Sequence, residues 1–207
     1  MMPLLLIRHG RTRWNDEGRT QGRKDSPLTT AARREIPRWR LPEGYEEAAW
    51  LVSPLGRARE TAALLGHADA RVEARLTEMS WGDWEGRRSD DLRTELGEAL
   101  TSLEAQGLDF RPPGGESPRD LQKRLAPLLA VLTQAARPTV AVTHKGVIRA
   151  IFALAVGWDM IGPPPVKLRN DVAQEFLLAE GGRLQPGRLN SELLPRGGQG
   201  GPEGSHG

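Results

Sequence analysis

A short apolar run near the N-terminus ends abruptly in charged residues, and this junction constrains the fold most. Residues 4–7 (Leu-Leu-Leu-Ile) predict a strand buried on both faces, and Arg8-His9-Gly10 follow directly. Open α/β sheets bind ligands in the crevice beyond the carboxyl ends of their strands, so charge delivered there predicts a site. Gly10 permits a sharp turn and the close approach of a ligand. Taken alone, the motif is equally compatible with an ordinary strand end.

A second junction of the same kind lies late in the chain. Residues 140–142 (Val-Ala-Val) predict a strand that runs into Thr143-His144-Lys145-Gly146, and a helix over residues 147–155 follows. Parallel strands joined by helical crossovers have their carboxyl ends side by side at one edge of the sheet. We therefore expect His9 and His144 to meet there. The remaining histidines, His67 and His206, are interpreted as surface residues.

The rest of the chain alternates predicted strands and helices, which indicates an α/β fold. Residues 13–29 are predicted to form a long loop, and Pro37 ends or kinks the helix that follows it. Further strands are predicted at residues 48–52, 71–73 and 172–178, with a doubtful edge strand at residues 184–189. Further helices are predicted at residues 56–65, 89–106 and 117–132.

Length and composition favour a soluble protein with one domain. We expect that domain over residues 1–195 and a disordered, glycine-rich tail over residues 196–207. The apolar runs are too short to cross a bilayer, and the absence of cysteine excludes disulfides and thiolate zinc sites, so a cytoplasmic location is expected. The net charge is only +2 and acidic residues are interspersed, so neither a nucleic-acid nor a membrane partner is predicted.

Several motifs, taken in order, resemble the histidine phosphatase superfamily, also called the phosphoglycerate mutase-like family. The resemblance spans residues 4–180 and implies a three-layer α/β sandwich, in which a mostly parallel central sheet carries helices on both faces. The motifs are Arg8-His9-Gly10, Asn15, Gln21-Gly22 with Asp25-Ser26-Pro27-Leu28-Thr29, residues 53–62 (Ser-Pro-Leu-Gly-Arg-Ala-Arg-Glu-Thr-Ala), Glu78 with Trp81-Gly82-Asp83-Trp84-Glu85-Gly86, Pro113-Gly114-Gly115-Glu116-Ser117 and His144-Lys145-Gly146-Val147-Ile148-Arg149.

The resemblance implies a set of charged groups around a phosphoryl group. His9 is implied as the nucleophile, because a neutral imidazole nitrogen can attack phosphorus and form a phosphohistidine. Arg8, Arg57 and His144 are implied to surround the phosphoryl oxygens without a metal ion. The family motif selects Arg57 over Arg59, and two residues so spaced on a helix do not face the same way.

The resemblance also implies a proton donor and three residues that contact the substrate. Glu78 is implied as the general acid and base, with Glu85 as the rival for that role. Asn15 is implied to donate to the phosphate, with Gln21 and Gly22 at the entrance. The tryptophans near Glu78, Trp81 and Trp84, are interpreted as core-packing residues.

Mutases and phosphatases of this family share these catalytic residues, so the middle of the chain must separate them. A mutase has to retain and reorient a bisphosphorylated intermediate, which calls for an enclosing basic insertion. Between Gly86 and Gly114 lie only 27 residues, with four arginines against six acidic residues. The chain is therefore predicted to be a metal-independent, cofactor-free phosphatase acting on a small phosphorylated metabolite. A cofactor-dependent phosphoglycerate mutase is the alternative.

Two further classes are weighed against catalysis. A non-catalytic module that binds a phospholigand needs neither a nucleophile such as His9 nor a proton donor such as Glu78. A metal site is disfavoured because no acidic residue accompanies His9 or His144 at ligand spacing.

The chain is expected to be a monomer or homodimer. Arg11 and Lys145 replace the residues more common in the family, which adds positive charge near the pocket and bears on the choice of substrate.

Overall fold

The computed structural model describes residues 1–135, 137–180 and 183–193 of the chain. The predicted tail over residues 196–207, with His206, lies outside these ranges. The strands are β1 (Met2–Arg8), β2 (Ala49–Val52), β3 (Arg71–Val72), β4 (Thr139–Thr143), β5 (Val172–Leu178), β6 (Leu184–Pro186) and β7 (Ser191–Glu192). The α-helices are α1 (Arg13–Asp16), α2 (Thr30–Glu35), α3 (Gly56–Leu64), α4 (Ser89–Leu96), α5 (Glu98–Glu104), α6 (Pro118–Thr133) and α7 (Lys145–Val156). In the part of the chain that is described, no helix has the length and apolar character needed to span a membrane.

One sheet contains all these strands, in the order β3-β2-β4-β1-β5-β6, with β7 also paired to β5. The pairings among β3, β2, β4 and β1 are parallel, whereas β5 runs antiparallel to its neighbours β1, β6 and β7. Because Arg8 at the end of β1 is in register with Thr143 at the end of β4, the next residues along both strands are neighbours. This register brings His9 and His144 to the same edge of the sheet, as predicted.

Helices cover both faces of the sheet because consecutive residues of its central strands are apolar and point alternately to the two faces. Leu4 and Leu6 of β1 belong to the core cluster that α6 and α7 complete, whereas Leu5 and Ile7 belong to a second cluster with Ala32 of α2. A third cluster joins α3 to β2 and β4. These layers confirm the predicted α/β sandwich with a mostly parallel central sheet.

Three local predictions differ from the structure, and one short strand was not predicted. The single helix predicted over residues 89–106 is broken into α4 and α5 at Gly97, where φ is +49°. The long loop predicted over residues 13–29 contains α1, which Thr12 and Asn15 cap reciprocally. The edge strand predicted at residues 184–189 ends at Pro186, and the two-residue strand β7 was not predicted.

Candidate active site

A cavity of about 630 Å³ opens at the carboxyl edge of the sheet, beside the end of β1. All the predicted site residues except His144 line it: Arg8, His9, Asn15, Gln21, Gly22, Arg57 and Glu78. His144 is fully buried, and its ring centroid lies 5.2 Å from that of His9. Within the described residues, no group of three or more metal-binding side chains comes together. The cavity thus collects residues that come from distant parts of the chain.

The hydrogen bonds of His9 define its protonation state. Its Nδ1 lies 2.8 Å from the carbonyl oxygen of Gly10, so Nδ1 carries a proton and donates it. Its Nε2 accepts a hydrogen bond of 3.3 Å from Nε of Arg57. Burial, reinforced by the charges of Arg57 and Arg8, holds the pKa of His9 well below its usual value. The imidazole is therefore neutral, with its lone pair on Nε2.

Arg57 is fixed by the loop that precedes α2. Its side chain is only 1% exposed, near the N-terminus of α3. Its Nη1 donates to the carbonyl of Lys24 at 2.9 Å and to Oδ1 of Asp25 at 2.7 Å, and its Nη2 donates to the carbonyl of Gly22 at 2.7 Å. Arg59 is exposed, so only the arginine selected by the motif enters the site.

Asp25 connects Arg57 to the first turn of α3. Its Oδ2 accepts a hydrogen bond of 2.5 Å from the backbone N–H of Gly56, while its Oδ1 accepts from the Arg57 guanidinium. A carboxylate at a helix N-terminus accepts a hydrogen bond from a free backbone N–H group and is attracted by the partial positive charge there. Asp25 therefore holds both the arginine and the helix that carries it.

Glu78 is a buried carboxyl group bound by two backbone donors. Its Oε1 accepts from the N–H of Met79 at 2.9 Å, and its Oε2 accepts from the N–H of Gly146 in the first turn of α7 at 3.1 Å. Burial raises the pKa of Glu78, although these hydrogen bonds and the charges of Arg57 and Arg8 oppose the shift. A carboxyl group with a raised pKa is suited to donating a proton.

Glu85, the rival to Glu78, has a different environment. Its Oε1 accepts from the backbone N–H groups of Arg23 at 2.9 Å and Trp81 at 3.1 Å, and its Oε2 accepts from that of Lys24 at 3.1 Å. The side chain does not line the cavity. Glu85 therefore ties two loops together, whereas Glu78 faces the site.

The three predicted substrate-contacting residues all come from the segment between β1 and α2. Oδ1 of Asn15 accepts from the backbone N–H of Thr12 at 3.0 Å, which orients the amide and leaves its Nδ2 for a ligand. Oε1 of Gln21 is buried and has no hydrogen-bond partner within the described ranges. Gly22 has a φ of +55° and directs its carbonyl to Arg57. Each of the three lines the cavity, but they play different structural parts.

His144 lies against Ser53, the residue that follows β2. Nε2 of His144 is 2.7 Å from Oγ of Ser53, and that oxygen also accepts from the backbone N–H of Leu55 at 3.4 Å. We assign the hydroxyl proton of Ser53 to the hydrogen bond with Nε2, which places the ring proton of His144 on Nδ1. Nδ1 is buried without a partner in the described part of the chain. Burial, with the charge of His9 next, holds the pKa of His144 well below its usual value.

The other cations near the site differ in how they are compensated. Nε of Arg8 is buried without a hydrogen-bond partner in the described ranges, and burial lowers the pKa of this guanidinium. Lys145, in the first turn of α7, lines the cavity. Arg11 is exposed, lies outside the cavity lining and pairs with Asp16, which offsets its charge. Of the two departures from the family pattern, only Lys145 contributes directly to the site.

The two tryptophans near Glu78 pack as predicted and also form one wall of the cavity. Trp84 is buried in a cluster with Leu92 and Leu100 of the two short helices, and Trp81 packs against this cluster. Phe110 contacts both indoles, with ring-centroid separations of 5.6 Å to Trp81 and 6.0 Å to Trp84. The cavity is therefore lined by aromatic side chains as well as by the charged groups around His9.

A family model described as histidine phosphatase superfamily (branch 1) matches residues 4–191. The chain belongs to this superfamily. A relative from Klebsiella pneumoniae named "Probable phosphoglycerate mutase GpmB" is 32% identical over 179 residues, which is 82% of this chain and 82% of that protein.

Solved structures of other proteins are similar over nearly the whole chain. A mycobacterial glucosyl-3-phosphoglycerate phosphatase complexed with VO3 is 27% identical, with a TM-score of 0.75 over 93% of this chain and 100% of that one. The same phosphatase has been solved with inorganic phosphate. YhfR from Bacillus stearothermophilus is 28% identical, with a TM-score of 0.77 over 93% of this chain and 98% of that one.

Sequence reasoning assigned no role to three residues that support this superfamily site. Ser53 directly follows a predicted strand, as His9 and His144 do, so the same strand-end rule could have found it. Arg149 lies one helical turn after Lys145, and helical spacing could have paired the two. Asp25 gave no such signal, because its contact with Arg57 depends on the path of the loop.

Proposed function

We propose that this superfamily member is a phosphatase that hydrolyses a small phosphomonoester through a phosphohistidine on His9. The main support for this proposal is the protonation state of His9. Its Nδ1–H donates to the carbonyl of Gly10, and its Nε2 holds a lone pair at the cavity. A neutral imidazole held in one orientation is a competent nucleophile toward phosphorus. The solved relatives with vanadate and inorganic phosphate support a phosphorylated ligand.

The first chemical step transfers the phosphoryl group to the enzyme. Nε2 of His9 forms a bond to phosphorus while the bond from phosphorus to the ester oxygen breaks. The leaving oxygen takes the proton of the Glu78 carboxyl group and departs as an alcohol. Arg8 and Arg57, which line the cavity, donate to the phosphoryl oxygens and stabilise the charge in the transition state. We infer a third donor in the Nδ1–H of His144, whose buried ring lies beside that of His9, once the phosphoryl group is on His9.

The second step returns the enzyme to its starting state. A water molecule attacks phosphorus and transfers a proton to the Glu78 carboxylate, and the bond between phosphorus and Nε2 of His9 breaks. Inorganic phosphate is released, Glu78 is protonated again, and Nε2 recovers its lone pair. The same carboxyl group therefore serves as acid and then as base.

The middle segment supports hydrolysis over mutase chemistry. The residues between Gly86 and Gly114 form α4, α5, a short 3-10 helix (Gly107–Asp109) and turns, and acidic residues outnumber basic ones among them. The second candidate function is a cofactor-dependent phosphoglycerate mutase, which the name of the Klebsiella pneumoniae relative favours. The name of the mycobacterial relative favours a phosphatase.

Turnover measurements distinguish the two functions. Phosphate release from a set of phosphomonoesters, and conversion of 3-phosphoglycerate to its 2-isomer, are measured with and without 2,3-bisphosphoglycerate. We expect hydrolysis without the bisphosphate, and mutase turnover faster than hydrolysis would overturn the proposal.

A labelling experiment tests the covalent intermediate. Acid-labile radiolabel from a phosphorylated substrate should appear on the wild type and on the control variant His67→Ala, because His67 stacks on Trp50 and does not line the cavity. The label should be absent from His9→Ala. A label that persists in His9→Ala would refute the role of His9.

A further inference from the structure

A second cavity, of about 420 Å³, adjoins the first and shares three cations with it. The shared residues are Arg8, Lys145 and Arg149. Lys167 and Arg169 also line the second cavity, and none of the described residues that line it is acidic. A concave surface with charge of one sign concentrates ligands of the opposite charge.

The cations at the junction of the two cavities lack counter-ions. In the described part of the chain, neither Lys145 nor Arg149 forms an ion pair, whereas Arg169 pairs with Glu192. Burial is the main cause that lowers the pKa of both Lys145 and Arg149. Arg149 is partly buried, whereas Lys145 keeps an exposed surface, and cations without partners that line a cavity are candidates for binding an anion.

Lys145 and Arg149 lie on the side of the site where the leaving group of the substrate is expected. Lys145 and Arg149 are four residues apart on α7, so they share a face and are separated by about 6 Å along the helix axis. Lys145 precedes Gly146, whose N–H binds Glu78, the proposed proton donor. The guanidinium of Arg149 lies 5.3 Å from the ring centre of Trp158, which fixes its position. The pair therefore extends away from the phosphoryl site on the side of Glu78.

We propose that Lys145 and Arg149 form a subsite for a second anionic group, carried by the leaving group of the substrate. The inference rests on the proposed phosphatase function and narrows its substrate class. The substrate is a phosphomonoester whose leaving group also carries a carboxylate or a second phosphate. Ammonium and guanidinium groups bind both kinds of anion.

The substrate preference of the wild type is the first measurement. Glycerol 3-phosphate, 3-phosphoglycerate and propane-1,3-diol bisphosphate present a neutral, a carboxylate and a phosphate end to the subsite. We expect kcat/KM for at least one of the doubly anionic esters to exceed that for glycerol 3-phosphate by about tenfold or more, the size of effect typical of a charge-assisted hydrogen bond. The better of the two identifies the anion. Equal values for all three esters would overturn the inference.

Matched variants assign the preference to these residues. The variant Lys145→Met/Arg149→Met should lose at least about tenfold more kcat/KM on the preferred doubly anionic ester than on glycerol 3-phosphate. Lys123→Met is the control, because Lys123 is exposed on α6 and lines neither cavity. Equal losses on both esters would contradict the subsite. If the double variant fails to fold, added salt should shrink the wild-type preference, and a salt-independent preference would contradict the inference.

Binding without turnover separates failure of the subsite from failure of the proposed function. Calorimetric titration of the His9→Ala variant with the same three esters should give tighter binding of the doubly anionic ones. A wild type that hydrolyses no ester refutes the phosphatase function alone. Equal affinities of His9→Ala for all three esters refute the subsite, whatever the wild type hydrolyses.

Discussion

The backbone N–H of Gly146 donates a hydrogen bond of 3.1 Å to Oε2 of Glu78, and the glycine leaves the space that this carboxylate fills. A Cβ at position 146 would lie 2.4 Å from Oε1 of Glu78. Position 146 is within α7 and is not among the glycines with positive φ, so an alanine suits the backbone there. The first turn of α7 thus determines where the proposed proton donor lies.

We expect Gly146→Ala to lower kcat by about tenfold or more while leaving the fold intact. The added methyl group displaces the Glu78 carboxyl group, whereas alanine in a helix gains up to about 1 kcal/mol over glycine. Steady-state kinetics and thermal unfolding measure the two effects. In the double variant with Glu78→Gln, the two losses should be far from additive, because both act on one group. An unchanged kcat in Gly146→Ala would contradict this coupling.

The choice between Glu78 and Glu85 predicts a difference in leaving-group dependence. Glu78→Gln removes the proton donor, so its kcat/KM, which reports transfer of the phosphoryl group to His9 and not the later hydrolysis, should fall by about 100-fold or more on an alkyl phosphate and much less on 4-nitrophenyl phosphate, whose leaving group needs no proton. Glu85→Gln is the matched control, since its carboxylate binds only backbone N–H groups of two loops. Similar losses of Glu78→Gln on both esters would remove Glu78 from the acid role.

Ser53 is expected to set the tautomer of His144. Ser53→Ala removes the hydroxyl group that meets Nε2 at 2.7 Å, so the ring proton can move from Nδ1 to Nε2. We expect kcat/KM to fall by about tenfold, with partial rescue in Ser53→Thr, which keeps a hydroxyl group. Nitrogen-15 chemical shifts of the imidazole distinguish the tautomers directly. Unchanged shifts in Ser53→Ala would show that the serine only fills space.

Asp25 is expected to act through Arg57 on substrate affinity. Asp25→Asn keeps the size of the side chain but removes the charge that pairs with the guanidinium and binds the N-terminus of α3. Because Asp25 is 41% exposed, the effect should be moderate, with KM raised by about three- to tenfold and kcat changed less. Asp16→Asn is the control, since Asp16 pairs with Arg11 outside the cavity lining. Equal KM values for the two variants would contradict this role.

The buried histidines predict that stability falls in mildly acidic solution. The unfolded chain binds protons on His9 and His144 below about pH 6.5, whereas the native state keeps both neutral to lower pH. The free energy of unfolding therefore decreases as the pH falls below 6.5, by up to about 1.4 kcal/mol per pH unit for each histidine, until its native pKa is reached.

Urea unfolding between pH 7.5 and 5.5 measures this dependence. Glu78 acts in the opposite direction above its ordinary pKa of 4.5, because its native carboxyl group retains a proton that the unfolded chain has lost. We expect the two histidines to outweigh it and the pH dependence to be weaker in His144→Asn. Identical slopes for His144→Asn and the wild type would contradict the buried, neutral state of His144.

Much of the fold and the meeting of the two histidines could be predicted because they follow from apolar patterning. β1 and β4 each contain an apolar run, a histidine directly follows each strand, and a right-handed crossover brings the ends of parallel strands together. The break between α4 and α5 could not be predicted in this way. A glycine inside a helical pattern is tolerated in some helices, so the pattern alone does not show that Gly97 adopts a positive φ.

The sequence predicted which residues line the site better than it predicted the contacts between them, because those contacts depend on tertiary structure. Arg57 and Asp25 are 32 residues apart, and their ion pair results from the course of the loop rather than from any local spacing. The cap of α1 was missed because the reciprocal partner of Thr12 is Asn15, where a glutamate or glutamine is the usual signal. His144 was predicted at the phosphoryl site; its ring lies 5.2 Å from that of His9, fully buried and outside the cavity lining, so its contact with a phosphoryl group stays a prediction.

The length of the loop over residues 22–25 affects how Arg57 is held at the proposed phosphoryl site. An insertion among residues 22–25 would move the carbonyls of Gly22 and Lys24 away from the guanidinium of Arg57. The proposed phosphoryl site would then lose its shape. The residues between positions 163 and 170 that line the second cavity do not line the first. Evolution can therefore change the preferred substrate through residues 163–170, while the loop over residues 22–25 keeps its length.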